Sequence, residues 1–272
     1  MKTSIKYREA MADVRRIVVK VGTRVLAQDS GRLDQRRMRS LVKQLAIIQR
    51  VGHEVVLVTS GAIGAGMDAL GMKDRPTKLP DLQMAAAVGQ GKLMACYDAL
   101  FSSVGCHAGQ VLLTHDDFQH KLRYNNARRT IENLIRHKVI PIINENDVVA
   151  DEEIKADIAL GDNDFLASLV VKMIRADLMV LLSTTDGLRK FDARGRSERI
   201  PCVESFSRDI FGLVKASDTR LSKGGMDSKL RAARAVADAG CMSVIADGRT
   251  ANTLVKIMQG KDVGTLFLAS SL

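Results

Sequence analysis

The chain has 272 residues, 46% of them hydrophobic, which is enough for one large α/β domain or two small ones with a sizeable core and no need of covalent staples. Its four cysteines, Cys96, Cys106, Cys202 and Cys241, are scattered without a CxxC pair, which argues against a disulfide framework or a zinc site and for a reducing cytoplasm. The net charge of +10 suits anionic metabolites such as ATP and carboxylates as well as nucleic acid, but 4% aromatics and no Trp leave few platforms for stacking bases.

In chain order, residues 1–14 read as a short extension, either frayed or a partial helix. The opening MKTSIKYREAMADVRR lacks the apolar middle of a signal peptide, and no uninterrupted apolar run approaches membrane-spanning length, so a cytoplasmic protein is expected. RRIVVKV (15–21) is a buried strand followed by Gly22-Thr23. Met38, Leu41, Leu45 and Ile48 then recur at helical spacing. HEVVLVT (53–59) is a second strand and runs into Thr59-Ser60-Gly61-Ala62. HAGQVLL (107–113) and KVIPIIN (138–144) follow, the latter ending in Asn144-Glu145-Asn146-Asp147. GDND (161–164) opens a helix to about Ile174 with Phe165, Leu166, Leu169, Val170 and Met173 as its apolar stripe. DLMVLLS (177–183) leads into Thr184-Thr185-Asp186-Gly187 and an excursion, TTDGLRKFDARGRSERI, that reads as a hairpin. A helix in SKGGMDSKLRAARAVADAG precedes the last run, CMSVIA (241–246).

Strand and helix alternate throughout, so the expected fold is α/β: a three-layer α/β/α sandwich with a mainly parallel open sheet. No repeat, low-complexity tract or Pro/Gly-rich linker divides it, and residues 15–272 are taken as one domain. Most Arg and Lys fall on the predicted helices, where solvated faces account for them better than a nucleic-acid footprint does.

Open parallel sheets bind ligands beyond the carboxyl ends of their strands, where this chain gathers small, hydroxyl, amide and acidic residues. Gly61, Gly64 and Gly66 form GxxGxG after a strand, which is neither the P-loop GxxxxGK[ST] nor the dinucleotide GxGxxG. They serve either to present backbone N–H groups at a helix start or to let a helix pack tightly on a strand. In GDND one residue suffices as a helix cap, and the surplus groups are free for an amine, a cation or water-borne Mg²⁺. Lys20 at a strand end either meets an anion or reaches out to water. Lys229 is either a solvated helix lysine or a partner to Lys20 in neutralising phosphoryl oxygens. The five histidines show no metal spacing and the twelve methionines read as core filler.

Taken together, VVKVGT, VTSGAIGAG, NENDVVA, GDND, GGMDSKLRAA and VGTLFLA resemble the ordered motif set of the glutamate 5-kinases, within the amino acid kinase family, from Arg15 to Leu268. The resemblance implies ATP-dependent phosphorylation of the γ-carboxylate of L-glutamate to γ-glutamyl phosphate, with Mg²⁺ carried by ATP, commonly proline as feedback inhibitor, and a homo-oligomer, dimer or tetramer. By matching motif it makes Lys20 and Lys229 the stabilisers of the transferring phosphoryl group and Asp164 their organiser. Ser60, Gly61, Ala62, Asp147 and Asn163 would bind glutamate. Lys20, Ser183, Thr184, Lys223, Gly224, Gly225, Met226 and Lys229 would contact ATP.

The chain departs from the family at Thr184, where an Asp is usual, at GLRKFDAR, at SKGGM in place of GTGGM, at Arg24 and in a longer acidic segment, ADEEIKADIAL (150–160). These departures bear on nucleotide contacts and on glutamate or proline affinity. The RNA-binding-like PUA domain carried by many bacterial members is not expected in a chain ending at Leu272. The competing readings are a kinase of another amino acid or carboxylate on the same fold, and a catalytically silent amino-acid sensor or nucleic-acid binder. Silence is disfavoured because a sensor has no need of two phosphoryl-facing lysines.

Overall fold

All six apolar runs are strands in the computed structural model, which describes residues 7–28, 32–149, 163–192, 195–217 and 225–270. They are β1 (Arg16–Val21), β2 (Glu54–Val58), β3 (His107–Leu113), β4 (Val139–Glu145) and β5 (Leu178–Ser183), with the sixth after an intervening hairpin. That hairpin is β6 (Arg189–Phe191) against β7 (Ser197–Arg199), antiparallel, within the segment expected to make an excursion. Next come β8 (Cys202–Val203), the sixth run as β9 (Met242–Asp247), and β10 (Thr265–Phe267). β8 and β10 have only 2 and 3 residues, too few for an apolar pattern to announce them.

Eight strands form one sheet in the order β3-β4-β2-β1-β5-β9-β10-β8. Every pairing in it is parallel except β9 with β10, so the sheet is mainly parallel, as the alternation of strands and helices requires. β1 lies in the middle, paired with β2 on one side and β5 on the other, and its burial on both faces explains why it is apolar from Ile17 to Val21 apart from Lys20.

The two faces of the sheet carry separate cores. Ile17, Val19 and Val21 of β1 pack on one face with Met38, Leu45, Tyr97 and Phe101, from the helices Gln35–Arg50 and Leu79–Ser102. Val18 packs on the other face with Ile131, Val170 and Leu230, from the helices Lys121–Arg136, Asn163–Ile174 and Gly225–Ala237. The predicted stripe Met38, Leu41, Leu45 and Ile48 is buried, and Asp34 starts its helix by accepting hydrogen bonds from the backbone N–H groups of Arg36 and Arg37 at 2.9 and 3.1 Å.

From Tyr7 the amino-terminal segment is docked rather than frayed. Met11 joins the first core, and Arg8, 3% exposed, donates to the carbonyls of Pro201, Lys261, Val263 and Gly264. The guanidinium thereby ties the amino-terminal segment to the carbonyls leading into β8 and β10.

Candidate active site

Strand periodicity decides where Lys20 points. Side chains alternate along β1, so Lys20 shares the face of Val18, under the helices that begin at Asn163 and Gly225. Asp164, in the first turn of the Asn163–Ile174 helix, is 0% exposed and pairs through Oδ1 with the Lys20 ammonium. Its Oδ2 accepts from Lys229 Nζ at 2.8 Å and from Ser228 Oγ at 3.2 Å. Lys229 Nζ also donates 2.9 Å to the carbonyl of Gly225, one turn earlier in its helix.

Lys20 is 4% and Lys229 8% exposed, so three charged groups sit together out of bulk water. Burial by itself would raise the Asp164 carboxyl, but the ammonium groups of Lys20 and Lys229 outweigh it and hold the acid below its ordinary range. One carboxylate holds two ammonium groups together at the carboxyl end of β1, a centre suited to an anion whose negative charge grows during reaction.

The glycines after β2 divide between a helix start and close packing, the packing being of helix on helix rather than helix on strand. Gly61 has φ of 109°, a left-handed conformation that favours glycine, and stands immediately before the Ala62–Ala69 helix. Gly66 is a packing residue, because a Cβ there would lie 1.8 Å from the backbone oxygen of Ala85 in the Leu79–Ser102 helix. The helix start and the ends of β2 and β4 enclose a cleft lined by Thr23, Ser60, Gly61, Ala62, Arg75, Asn144, Glu145, Asp147 and Asn163. All five residues singled out as glutamate ligands, Ser60, Gly61, Ala62, Asp147 and Asn163, therefore face one space. Asn163 is tied to its floor, with Nδ2 donating to the Thr59 carbonyl at 2.7 Å, Ser60 Oγ at 2.8 Å and Asn144 Oδ1 at 3.0 Å.

Ser183 and Thr184 lie on the other side of Lys20. The register of β1 on β5 pairs Lys20 with Leu181 and Val21 with Leu182, so Ser183 comes level with the Gly22 turn. β9 ends beside it, with Gly248 N–H donating to the Ser183 carbonyl at 2.9 Å and Arg249 Nη2 to the Thr184 carbonyl at 2.6 Å. Arg249 also pairs with Asp247 at 2.7 Å, and its hydrogen bonds pull that carboxyl below the usual range. Gly225 and Met226 begin the helix that carries Lys229, with Met226 half-buried against the second core. Lys223, Gly224 and the acidic stretch 150–160 lie outside the described residues. Arg24 is exposed in the short Thr23–Leu26 helix.

The residues missed from sequence are Thr23, Arg75, Asn144, Glu145, Ser228 and Arg249. Asn144 and Glu145 stood in the quoted NEND cluster, and Arg249 follows the sixth apolar run in ADGRT, a strand-end position that could have marked it. Among the described residues no group of three or more His, Cys, Asp and Glu could hold a metal ion, and no helix is long and apolar enough to cross a membrane.

Residues 15–247 match the amino acid kinase family. The chain is 45% identical over 255 residues to a glutamate 5-kinase of Caldanaerobacter subterraneus subsp. tengcongensis, covering 93% of this chain and 68% of that protein. It is 42% identical over 264 residues to a glutamate 5-kinase of Clostridium tetani, covering 96% of this chain and 97% of that one. Among solved structures, carbamate kinase from Giardia lamblia bound to AMP-PNP superposes with a TM-score of 0.66 at 17% identity, over 94% of this chain and 99% of that one. UMP kinase from Bacillus anthracis does so at 0.60 and 13%, over 94% and 97%. At these identities the two structures speak for the fold.

Proposed function

The chain belongs to the amino acid kinase family and within it to the glutamate 5-kinases, and we propose that Lys20, Asp164 and Lys229 are its phosphoryl-transfer centre. The reaction is ATP-dependent phosphorylation of the γ-carboxylate of L-glutamate, the first step of proline biosynthesis.

In the reaction a γ-carboxylate oxygen forms a bond to the γ-phosphorus of ATP as the bond to the ADP oxygen breaks. The carboxylate is ionised at neutral pH, so the protein needs no general base and no nucleophile of its own. Its work is to align the two anions and compensate their charge. The observation that carries this assignment is the fully buried Asp164 bonded to both Lys20 and Lys229. Held on one carboxylate, the two ammonium groups stay together at the carboxyl end of β1 without collapsing onto separate surface acids.

Glutamate is assigned to the cleft of Ser60, Gly61, Ala62, Asp147 and Asn163, with Asp147 and Asn163 toward its ammonium and the Gly61 helix start toward its α-carboxylate. ATP is assigned to the β5–β9 side, along Ser183, Thr184, Gly225 and Met226, with Lys223 and Gly224 taken from the motif alone. Mg²⁺ is assigned to the nucleotide phosphates, where it would neutralise developing charge; both Asp164 oxygens are already engaged by lysines, which fits a metal held mainly by phosphate and water.

Proline shares the α-ammonium and α-carboxylate of glutamate and is assigned the same cleft as an inhibitor. Exposed Met84 and Val88 on the Leu79–Ser102 helix support a homo-oligomer. The four free cysteines fit the cytoplasm.

Hydroxylamine trapping tests the assignment. Purified protein with Mg²⁺-ATP and L-glutamate should yield γ-glutamyl hydroxamate, and Lys20→Met should remove the signal while nucleotide-independent glutamate binding survives. Full activity in Lys20→Met would take the centre away from Lys20.

A further inference from the structure

We propose that Gln90 is a positioning residue that holds Asn163 in the orientation needed to read the substrate's α-ammonium, an inference that rests on the assignment of Asn163 to glutamate.

The argument starts from a backbone carbonyl. Thr59 O can only accept, so the 2.7 Å contact commits the Asn163 amide nitrogen to the floor of the cleft. Asn163 Oδ1 has no hydrogen-bond partner among the described residues, while Asn163 lines the cleft. A carbonyl acceptor is what an ammonium group requires; the reversed amide would present donors and repel it.

The same polarity then runs outward. With Asn163 Nδ2 facing it at 3.0 Å, Asn144 must present Oδ1, and its own Nδ2 must find an acceptor. Gln90 Oε1 is that acceptor at 2.9 Å, and Gln90 Nε2 donates onward to Gln110 Oε1 at 3.1 Å. Asn144 is buried, so without Gln90 its amide either keeps an unpaired donor or rotates and sets its NH₂ against that of Asn163. Both outcomes loosen Asn163 and spare the lysine centre. Gln90 is half-buried on the Leu79–Ser102 helix and outside the cleft lining, so its effect on substrate passes through Asn144.

The test compares L-glutamate with glutarate, which keeps both carboxylates and lacks only the amine, in the hydroxamate assay. Gln90→Leu should lower the preference for glutamate over glutarate roughly tenfold, the worth of about one lost hydrogen bond with a buried donor left behind. The loss should appear in the KM for glutamate, with kcat, the KM for ATP and the glutarate rate unchanged. Gln90→Glu keeps the acceptor for Asn144 and should stay within about threefold of the parent by the same reasoning. Gln90→Met, of similar length and without an acceptor, repeats the test if the leucine variant fails to fold.

An unchanged preference in Gln90→Leu, an equal fall for both substrates, or a Gln90→Glu variant that behaves like the leucine one overturns the proposal. A parent enzyme that uses glutarate as well as glutamate overturns it together with the assignment of Asn163, whereas a selective parent with insensitive Gln90 variants overturns only the role of Gln90.

Discussion

Replacing Asp164 with asparagine, D164N, preserves the shape of the side chain and removes the one negative charge between two ammonium groups. Lys20 and Lys229 are 4% and 8% exposed, so neither can regain full hydration, although Lys229 keeps its contact to the Gly225 carbonyl at 2.9 Å. Removing one partner from a buried ion pair costs about 3–5 kcal/mol. At about 2–4 °C per kcal/mol for a chain of this size, the melting temperature at pH 7 should fall by roughly 6–20 °C.

The pH dependence gives a second reading. Asp164 titrates below its ordinary value in the folded chain, so the stability it contributes is fully present above the unfolded carboxylate value of about 3.9 and is lost as pH falls toward the folded value. The gap between parent and D164N measured by denaturant unfolding should therefore be constant at neutral pH and narrow below about pH 4. A non-hydrolysable ATP analogue should raise the melting temperature of D164N more than that of the parent, because its phosphates supply the missing negative charge. Turnover should drop by about 10²-fold or more, since the cations are no longer held in place. Stability within about 1 kcal/mol of the parent, or a gap that does not close in acid, would refute the claim that this carboxylate organises the lysines.

Lys229→Ala should reduce kcat by about 10²-fold or more while calorimetric glutamate binding changes little, if the lysine acts on transferring charge as proposed; unchanged turnover removes it from the mechanism. Gly66→Ala should destabilise by about 3 kcal/mol or prevent folding, since its Cβ would lie 1.8 Å from a backbone oxygen that cannot move without its helix. Gly91→Ala, in the interior of the Leu79–Ser102 helix with nothing within 4 Å of the added carbon, should instead stabilise by about 0.5–1 kcal/mol. Equal effects at Gly66 and Gly91 in urea unfolding would show that the close helix contact is not what selects glycine.

Much of the fold is legible along the chain because its signals are local. A parallel sheet buried on both faces produces continuous apolar runs, and each of the six emerges as a strand whose ends fall within one residue of the run. The helices Gln35–Arg50 and Asn163–Ile174 announce themselves through their apolar stripes. The site was legible as a location, because strand ends in such sheets are where ligands bind, and the motif resemblance supplied its chemistry.

What the sequence by itself determined is therefore the order of the six long strands, the face buried by the helices whose apolar stripes it shows, and the edge where polar residues collect, all properties of neighbours within a few residues. It could not say whether Lys20 meets an anion or water, or whether Gly66 serves a ligand or a helix. Those choices belong to the register of β1 on β5 and the crossing of two helices. The Asp164 bond to Lys229 spans 65 residues and that of Gln90 to Asn144 spans 54. Such contacts leave no periodic trace, because they depend on where the sheet sets the ends of its strands side by side.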